Sequence, residues 1–329
     1  RVTGDEVHWQ AIPMDQIERI EIIRGGGGLI YGEGAFAGVI NIITKKGGER
    51  PLEFESTTEV GRFGQRTYSV ASRGTTGPLT YGTSYQRRDI GGYRESTNSR
   101  TTTVTSHVGL DVLPSWHLET NVLHSEDTSY FPGGITLEQS QTRRRQKGSF
   151  VGFFDDMTTQ VSLDSRLTGP HGLSLVTNAF ERLRESDSDT GSRLATIAPS
   201  QGLSLRGAHD HALGTAHHTL VAGIDLLDEK ASVGTRGSTF SESNKHSYGL
   251  FAEETLRLWD RVSLVTGLRF DKARFEEDIS FPTFIGTLRF EGWSPKVGVS
   301  VDVSDPLTVY ANYARPFKAP NVDDFASRS

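Results

Sequence analysis

Four histidines lie close together and are, by residue type, the side chains of this chain best suited to hold a metal ion. They are His209, His211, His217 and His218. Their surroundings are polar and turn-like, so solvated side chains are the simpler interpretation and no metal site is predicted. Asp187 with Asp189, and the acidic run at residues 276–278, offer oxygen ligands but lack the fixed spacing of a calcium-binding loop.

Gly32, Gly34 and Gly38 form a loose G-x-G-x-x-x-G spacing that could cradle a phosphate. In a nucleotide-binding fold, a helix must begin within such glycines and direct its N-terminus at the phosphate. Here the β-branched run at residues 39–43 follows instead, which favours a strand. A soluble NAD-binding oxidoreductase is therefore kept only as an alternative. Since the sequence also lacks a nucleophile elbow, no enzyme is predicted.

The elements that must position these residues are predicted to be β-strands. At residues 296–303, valine occupies every second position and alternates with polar residues or glycine, and residues 262–271 alternate in the same way. This period of two predicts strands with one apolar face. Between residues 52 and 315 we predict about 13 such strands, which makes the fold all-β.

Two kinds of connection alternate along the predicted strands. Short turns rich in Gly, Pro, Asp and Ser, such as residues 75–78 and 304–306, are followed by longer polar loops. The long loops are residues 89–99, 127–157, 186–199, 231–244 and 275–289. This asymmetry is typical of a transmembrane antiparallel β-barrel, whereas a soluble sandwich gives alternating strands without it.

The composition agrees with a barrel. Hydrophobic residues make up 35% of the chain, glycine occurs 36 times and cysteine is absent. No apolar run approaches the ~18 residues of a transmembrane helix. A net charge of −6 without a basic stripe predicts no nucleic-acid partner. The chain opens mid-domain and stops just after a strand-like run, so we expect both of its ends to be cut. An odd number of strands would leave one edge unpaired in lipid, so we expect the barrel to continue beyond residue 329.

Residues 17–45 carry the most specific pattern in the sequence. An alternating strand from Ile17 leads into glycines, Tyr31-Gly32 follows, and then comes Gly38-Val-Ile-Asn-Ile-Ile-Thr-Lys45. This order and spacing resemble the plug domain of TonB-dependent outer-membrane receptors. Residues 268–271 (Leu-Arg-Phe-Asp) and 317–320 (Phe-Lys-Ala-Pro) resemble recurring barrel motifs of the same family. Where the family has Gly-Pro, this chain has Gly25-Gly26, which indicates a more flexible loop.

The resemblance implies a barrel that natively has 22 strands and holds a mixed α/β plug domain in its lumen. Residues 1–48 would be the C-terminal part of the plug, and residues 49–329 the N-terminal part of the barrel. It also implies active import of a ferric siderophore, energised through TonB, whose contact box would precede Arg1. Import of cobalamin, haem or a glycan stays open as an alternative, and a passive porin is opposed by the plug motif.

The same resemblance implies where the protein acts and with what. It would lie as a monomer in the outer membrane of a Gram-negative bacterium, surrounded by lipid and lipopolysaccharide. Its partners would be TonB and the ferric siderophore. No cofactor is expected, because iron enters only as part of the transported chelate.

Charged residues on the plug strand are expected to pair with the barrel wall. They are Glu18, Arg19 and Arg24, and the family resemblance implies salt bridges at these positions. Glu254, or its neighbour Glu253, is the expected partner carboxylate for Arg24.

Six residues are expected to contact the ligand. Aromatic side chains offer contact area with a polar tip, and exposed arginine attracts an anionic chelate. The candidates are Gly26, Gly27 and Tyr31 at the plug apex, and Tyr130, Phe131 and Arg144 in a long loop that resembles ferric-siderophore members of the family.

Overall fold

The computed structural model describes residues 11–24, 29–32, 35, 38–235, 238–280 and 283–319. Its strands form two antiparallel sheets. The smaller sheet pairs two strands near the N-terminus, and the larger contains 13 strands whose order in space is their order in the chain. The predicted all-β fold with about 13 antiparallel strands is confirmed.

The small sheet consists of β1 (Ile17–Arg24) and β2 (Gly38–Thr44). The large sheet consists of β3 (Glu53–Val60), β4 (Arg66–Thr76), β5 (Leu79–Ile90), β6 (Ser99–Leu113), β7 (Trp116–Phe131), β8 (Gly152–Thr168), β9 (Leu173–Asp189), β10 (Arg193–Leu213), β11 (Ala216–Thr235), β12 (Ser238–Leu258), β13 (Val262–Ser280), β14 (Thr283–Ser304) and β15 (Leu307–Ala314). One short helix, α1 (Leu137–Thr142), lies between β7 and β8.

Helices contribute little to the described part of the chain. Apart from α1, it contains single 3-10 turns at Met14–Gln16, Arg62–Gly64 and Pro170–Gly172. Within the described ranges, no helix combines the length and apolar character needed to cross a membrane. The segment that a nucleotide-binding fold requires as a helix is strand β2, so the oxidoreductase alternative is wrong.

The two faces of the large sheet differ in character. The inner face carries buried polar side chains such as Arg269 and Asp271 and contacts Leu29 of the N-terminal segment. On the outer face, Leu250, Phe270 and Trp293 form one row across β12, β13 and β14, and Trp293 is 60% exposed. A soluble sandwich has the opposite arrangement. A polar interior with an apolar exterior is what a barrel in lipid requires.

The apolar residues of the outer face form a continuous band. On β13 the band runs from Val262 to Phe270, about 26 Å along a strand that rises 3.3 Å per residue, which is about 20 Å in height at a strand tilt of about 40°. At its upper edge the ring of Phe270 lies 4.8 Å from that of Trp293 and 6.3 Å from that of Tyr248, measured between centroids. Aromatic residues are expected at this level, where lipid tails give way to headgroups.

Three of the predicted long loops are largely strand. The structure extends β9 to Asp189 and begins β10 at Arg193, and it likewise continues strands through most of residues 231–244 and 275–289. These hairpins rise above the apolar band. The outer face is polar there, while inner-face residues such as Lys245, Phe275 and Glu277 stay buried, so the outward apolar alternation of the band ends. Tyr130 and Phe131, predicted in a loop, lie at the end of β7. The short turns on the opposite side occur where predicted, within a few residues.

Candidate functional site

The N-terminal hairpin of β1 and β2 lies beside the inner face of the large sheet. Its strands pair in register, with Ile20 opposite Ile42 and Ile22 opposite Ile40. The amide of Asn41 donates to the carboxylate of Glu21 across the pair at 3.1 Å. Two strands alone are marginally stable in water, so contacts with the wall must fix this hairpin.

The strongest wall contact is centred on Arg269 of β13, which is 4% exposed. Its Nη1 donates to the backbone carbonyl of Leu29 at 3.2 Å and to Asp225 Oδ2 at 2.7 Å. Its Nε donates to both carboxylate oxygens of Asp271, at 2.8 and 3.0 Å. The guanidinium also lies 5.4 Å from the ring centroid of Phe251. These five residues, Leu29, Asp225, Phe251, Arg269 and Asp271, are called the Arg269 cluster.

Gly267 in the barrel wall leaves room for the side chain of Leu29. Leu29 is 3% exposed, and a Cβ added at Gly267 would stand 3.0 Å from Leu29 Cδ1. The side chain of Leu29 therefore fills the notch that the missing Cβ leaves. Arg269 holds the backbone of the same residue, so one point of the N-terminal segment is fixed by both packing and hydrogen bonding.

Two further contacts fix the ends of the hairpin. Before β1, the carboxylate of Asp15 accepts from Ser69 Oγ at 2.5 Å and from Gln86 Nε2 at 2.9 Å, both on the inner face. After β2, Lys46 Nζ lies 2.5 Å from Glu119 Oε1, and the backbone N–H of Gly47 donates to His107 Nε2 at 2.9 Å. The connection to the wall is polar at every one of these points.

A polar-walled antiparallel barrel with an N-terminal hairpin bound to its inside matches a known family. The family model described as "TonB dependent receptor-like, beta-barrel" matches residues 50–329, and the "TonB-dependent Receptor Plug Domain" matches residues 1–39. The chain belongs to the TonB-dependent receptor family. These receptors are β-barrel proteins of the Gram-negative outer membrane, and they are transporters rather than enzymes. The family and the outer-membrane location predicted from the sequence are thus confirmed.

Individual relatives agree with the family match. The chain is 26% identical to the ferric enterobactin receptor of Pseudomonas aeruginosa, over 98% of this chain and 48% of the relative. It is 24% identical to the ferrienterobactin receptor of Escherichia coli (strain K12), over 98% and 49%. The crystal structure of the unliganded ferric citrate transporter FecA superposes with a TM-score of 0.79 at 15% identity, covering 96% of this chain and 52% of that one. The chain spans about half the length of the curated relatives it matches.

The plug residues predicted to pair with the wall are placed differently. Arg19 lies 2.9 Å from the carboxylates of both Glu18 and Glu21, so its partners are on its own strand. The hydrogen bonds to Glu21 and the charges of Glu21 and Glu18 hold the pKa of Arg19 above its ordinary value. No wall partner for Glu18 or Arg19 is found among the residues described. The side chain of Arg24 lies outside the described part of the chain.

Glu254, the expected wall partner, lies on the outer face. It shares a row with Leu220 of β11, and its Oε1 lies 3.2 Å from His218 Nδ1. The neighbouring Glu253 points inward, where Lys296 Nζ donates to it at 2.9 Å. The one-residue difference matters because successive side chains of a strand face opposite sides of the sheet.

The predicted ligand contacts are distributed over both faces. Tyr31 follows the fixed Leu29 by two positions and is 38% exposed, whereas Gly26 and Gly27 lie outside the described residues. Phe131 faces inward, with its ring 5.5 Å from that of Phe154. Tyr130 faces outward, with its ring 6.4 Å from that of Phe153.

Arg144 is exposed in the segment that follows α1. The helix before it is capped by Thr136, whose hydroxyl accepts from the N–H of Gln139 while the Gln139 side chain accepts from the N–H of Thr136. In the described part of the chain, no hydrogen bond or ring contact joins Tyr31 to Phe131 or Arg144. The structure therefore does not assemble the predicted ligand residues into one pocket.

His209, His211 and His218 lie on the outer face near the short turns, whereas His217 lies on the opposite face. The rings of His209, His211 and His218 are 5.2 to 6.0 Å apart between centroids, and His217 Nε2 lies 2.8 Å from Asp210. Within the described residues, no three His, Asp or Glu side chains are arranged to hold a metal ion.

The Arg269 cluster was missed from the sequence. Residues 268–271 were noticed as a barrel motif, but their role was not inferred. A signal was present: Arg269 and Asp271 occupy the polar face of an otherwise alternating strand, two positions apart. Such a charged pair at inward positions of one strand predicts a buried ion pair in the lumen.

Proposed function

We propose that this receptor imports a ferric siderophore across the outer membrane, with energy supplied through TonB. The observation that carries the proposal is the hairpin inside the barrel, joined to the wall by hydrogen bonds and ion pairs. Polar contacts of this kind can exchange with water once the hairpin is displaced, so a pull on the plug opens a path without breaking an apolar core. The relatives' names, two of which specify ferric enterobactin, support a ferric chelate as substrate.

The ligand site of this proposal lies between the plug apex and the outer loops. Tyr31, with Gly26 and Gly27 beside it, offers a phenol and backbone groups to the chelate. Phe131 contributes apolar contact from the wall, and Arg144 attracts the negative charge of the chelate from the loop. Tyr130 is not included, because it faces outward. Iron is cargo within the chelate, and no resident cofactor is proposed.

The remaining partners are proposed in the same way. The receptor is energised by TonB, works as a monomer, and contacts outer-membrane lipid and lipopolysaccharide over its outer face. The apolar band of the outer face, with its aromatic upper edge at Trp293 and Phe270, supports contact with lipid.

Growth on single iron sources tests the substrate. A strain lacking this receptor is grown with iron supplied as a catecholate, hydroxamate or citrate chelate or as haemin, and separately with cobalamin as the limiting nutrient. We expect loss of growth on one ferric chelate, restored by the intact gene only when TonB is present. Loss confined to cobalamin or to haemin would overturn the siderophore assignment, and restoration without TonB would overturn the energised mechanism.

A further inference from the structure

A cleft of about 800 Å³ lies on the large sheet where β4, β5, β6 and β7 approach the long loops. Three arginines, two tyrosines and one carboxylate dominate its lining. They are Arg66, Tyr68, Arg87, Asp89, Arg100 and Tyr130, and together they are called the arginine cleft.

The strand register places the arginine cleft on the outer face. Arg66, Asp89 and Arg100 are direct cross-strand neighbours in one row. Two positions further down the same strands, Tyr68 stands opposite Arg87. The next outward row holds exposed apolar residues, namely Val70, Tyr85 and Val104. The cleft therefore continues the lipid-facing surface and does not open into the lumen.

The height of the cleft matches the headgroups of the outer leaflet. Along β5, the distance from Leu79 beside the short turn to Arg87 is about 26 Å at 3.3 Å per residue, and to Asp89 about 33 Å. With a strand tilt of about 40°, these positions lie at the upper boundary of a ~25 Å apolar band. Tyr68 and Tyr130, both partly exposed, mark the same boundary with amphipathic rings.

The cleft has an excess of positive charge. Asp89 accepts from Arg87 Nε at 2.9 Å and from Arg100 Nε at 2.7 Å. One carboxylate thus serves two guanidinium groups, and both keep their outer Nη donors unused among the described residues. Arg66 has no ion pair within the described part of the chain. Asp155, the next acidic group along the row, is hydrogen-bonded by Thr128 at 2.9 Å and bounds the cleft on that side.

We propose that the arginine cleft binds a phosphate group of a phosphorylated glycolipid in the outer leaflet, an inference that rests on the lipid contact of the proposed function. Guanidinium groups bind phosphate oxygens in a planar, bidentate geometry, and three of them converge here around a single carboxylate. The apolar rows directly below accept acyl chains, and the tyrosines lie where a sugar headgroup would rest. A free anion would need the arginines but not the continuous apolar surface beneath them.

The amount of glycolipid bound to the purified receptor tests the proposed site. The full-length protein is extracted from outer membranes, and the co-purifying glycolipid is quantified by mass spectrometry for wild type, Arg66→Gln/Arg100→Gln and Arg66→Lys/Arg100→Lys. We expect the glutamine variant to carry at least about tenfold less glycolipid, as loss of two charge-assisted contacts implies. The lysine variant should retain more glycolipid than the glutamine variant. Arg261→Gln, in a short turn at the opposite end of the barrel, is the matched control and should change nothing.

The chemistry of the ligand is tested in the same preparations. Glycolipid stripped of its phosphates should bind wild type no better than it binds the glutamine variant, and millimolar inorganic phosphate should leave the bound glycolipid in place. Equal glycolipid on wild type and glutamine variant, or equal binding of the dephosphorylated form, would overturn the proposal. Displacement by inorganic phosphate would replace it with a free-phosphate site. Heat-modifiable migration on gels confirms that each variant is a folded barrel.

Discussion

At the scale of single residues, Arg269 joins the hairpin to the wall. It is buried, it is paired with Asp225 and Asp271, and it holds the carbonyl of Leu29. A buried charge network of this kind is costly to break from one side, because the remaining carboxylates stay in place without their cation. The same polarity allows water to take over its bonds when the plug moves.

Replacement of Arg269 by methionine should loosen the N-terminal segment. The carbonyl of Leu29 loses its donor and two carboxylates lose their cation, at a cost of about 3–5 kcal/mol. Amide exchange at residues 29–32 should become faster, as measured by mass spectrometry on the purified receptor. Lys272→Met on the outer face serves as control, since it removes a charge from the same strand without touching the hairpin. Unchanged exchange at residues 29–32 would show that Arg269 does not hold this segment.

Gly267 allows a steric test of the same contact. A valine there places side-chain atoms where Leu29 now lies, since even a Cβ would stand 3.0 Å from Leu29 Cδ1. We expect Gly267→Val to lower the melting temperature and to make the segment at Leu29 sensitive to protease. Gly298→Val on β14 is the matched control, because the nearest neighbour of an added Cβ there is Asn312 Cβ at 3.7 Å. Equal effects of the two substitutions would contradict the claim that Leu29 packs into the space beside Gly267.

At the scale of elements, the hairpins rise well above the lipid. β12, β13 and β14 have 21, 19 and 22 residues, more than the 9–11 that cross a bilayer. Cross-strand pairs continue through the upper part, from Asn244 opposite Glu276 to Ser241 opposite Ile279. The strand extensions form walls that surround the entrance to the lumen.

These extensions should be visible in amide exchange. Residues 275–280 and 283–289 should exchange slowly, because their N–H groups belong to paired strands, whereas the loop at residues 143–151 should exchange fast. Both segments are polar and lie at the same end of the barrel, so the loop is an internal control. Fast exchange at residues 275–280 and 283–289 as well would indicate that these residues form loops, as the sequence predicts, and would contradict the paired strands.

The strands are predictable from the sequence where their outer face is apolar, and less so above the apolar band. The short turns were located because residues such as Gly214, with φ of 62°, and the Asp305-Pro306 pair are specific turn formers. The upper strand ends differ because their outer face is polar while inner-face residues such as Phe275 are buried, so the outward apolar alternation that marks the lower strands ends there. The Arg269 cluster was missed because its partner Leu29 is 240 residues away in the chain, and register across that distance is fixed only by the folded sheet.

At the scale of the whole molecule, the sheet has two working surfaces. The outer surface combines an apolar band with the arginine cleft at its upper edge, and it faces the membrane. The inner surface is polar and carries the hairpin on contacts at Asp15, Leu29 and Lys46. Transport by this arrangement requires that those contacts open while the outer surface stays fixed in lipid.

A cross-link between plug and wall tests this requirement most directly. These 329 residues contain no cysteine, and Leu29→Cys with Gly267→Cys introduces a defined pair where the Leu29 side chain packs against Gly267. In the full-length receptor, uptake of ⁵⁵Fe-labelled siderophore by whole cells is measured for the oxidised and the reduced form of this same variant. We expect the oxidised form to bind the chelate without importing it, and reduction to restore import. Equal import in both forms would contradict the claim that the plug must leave the wall.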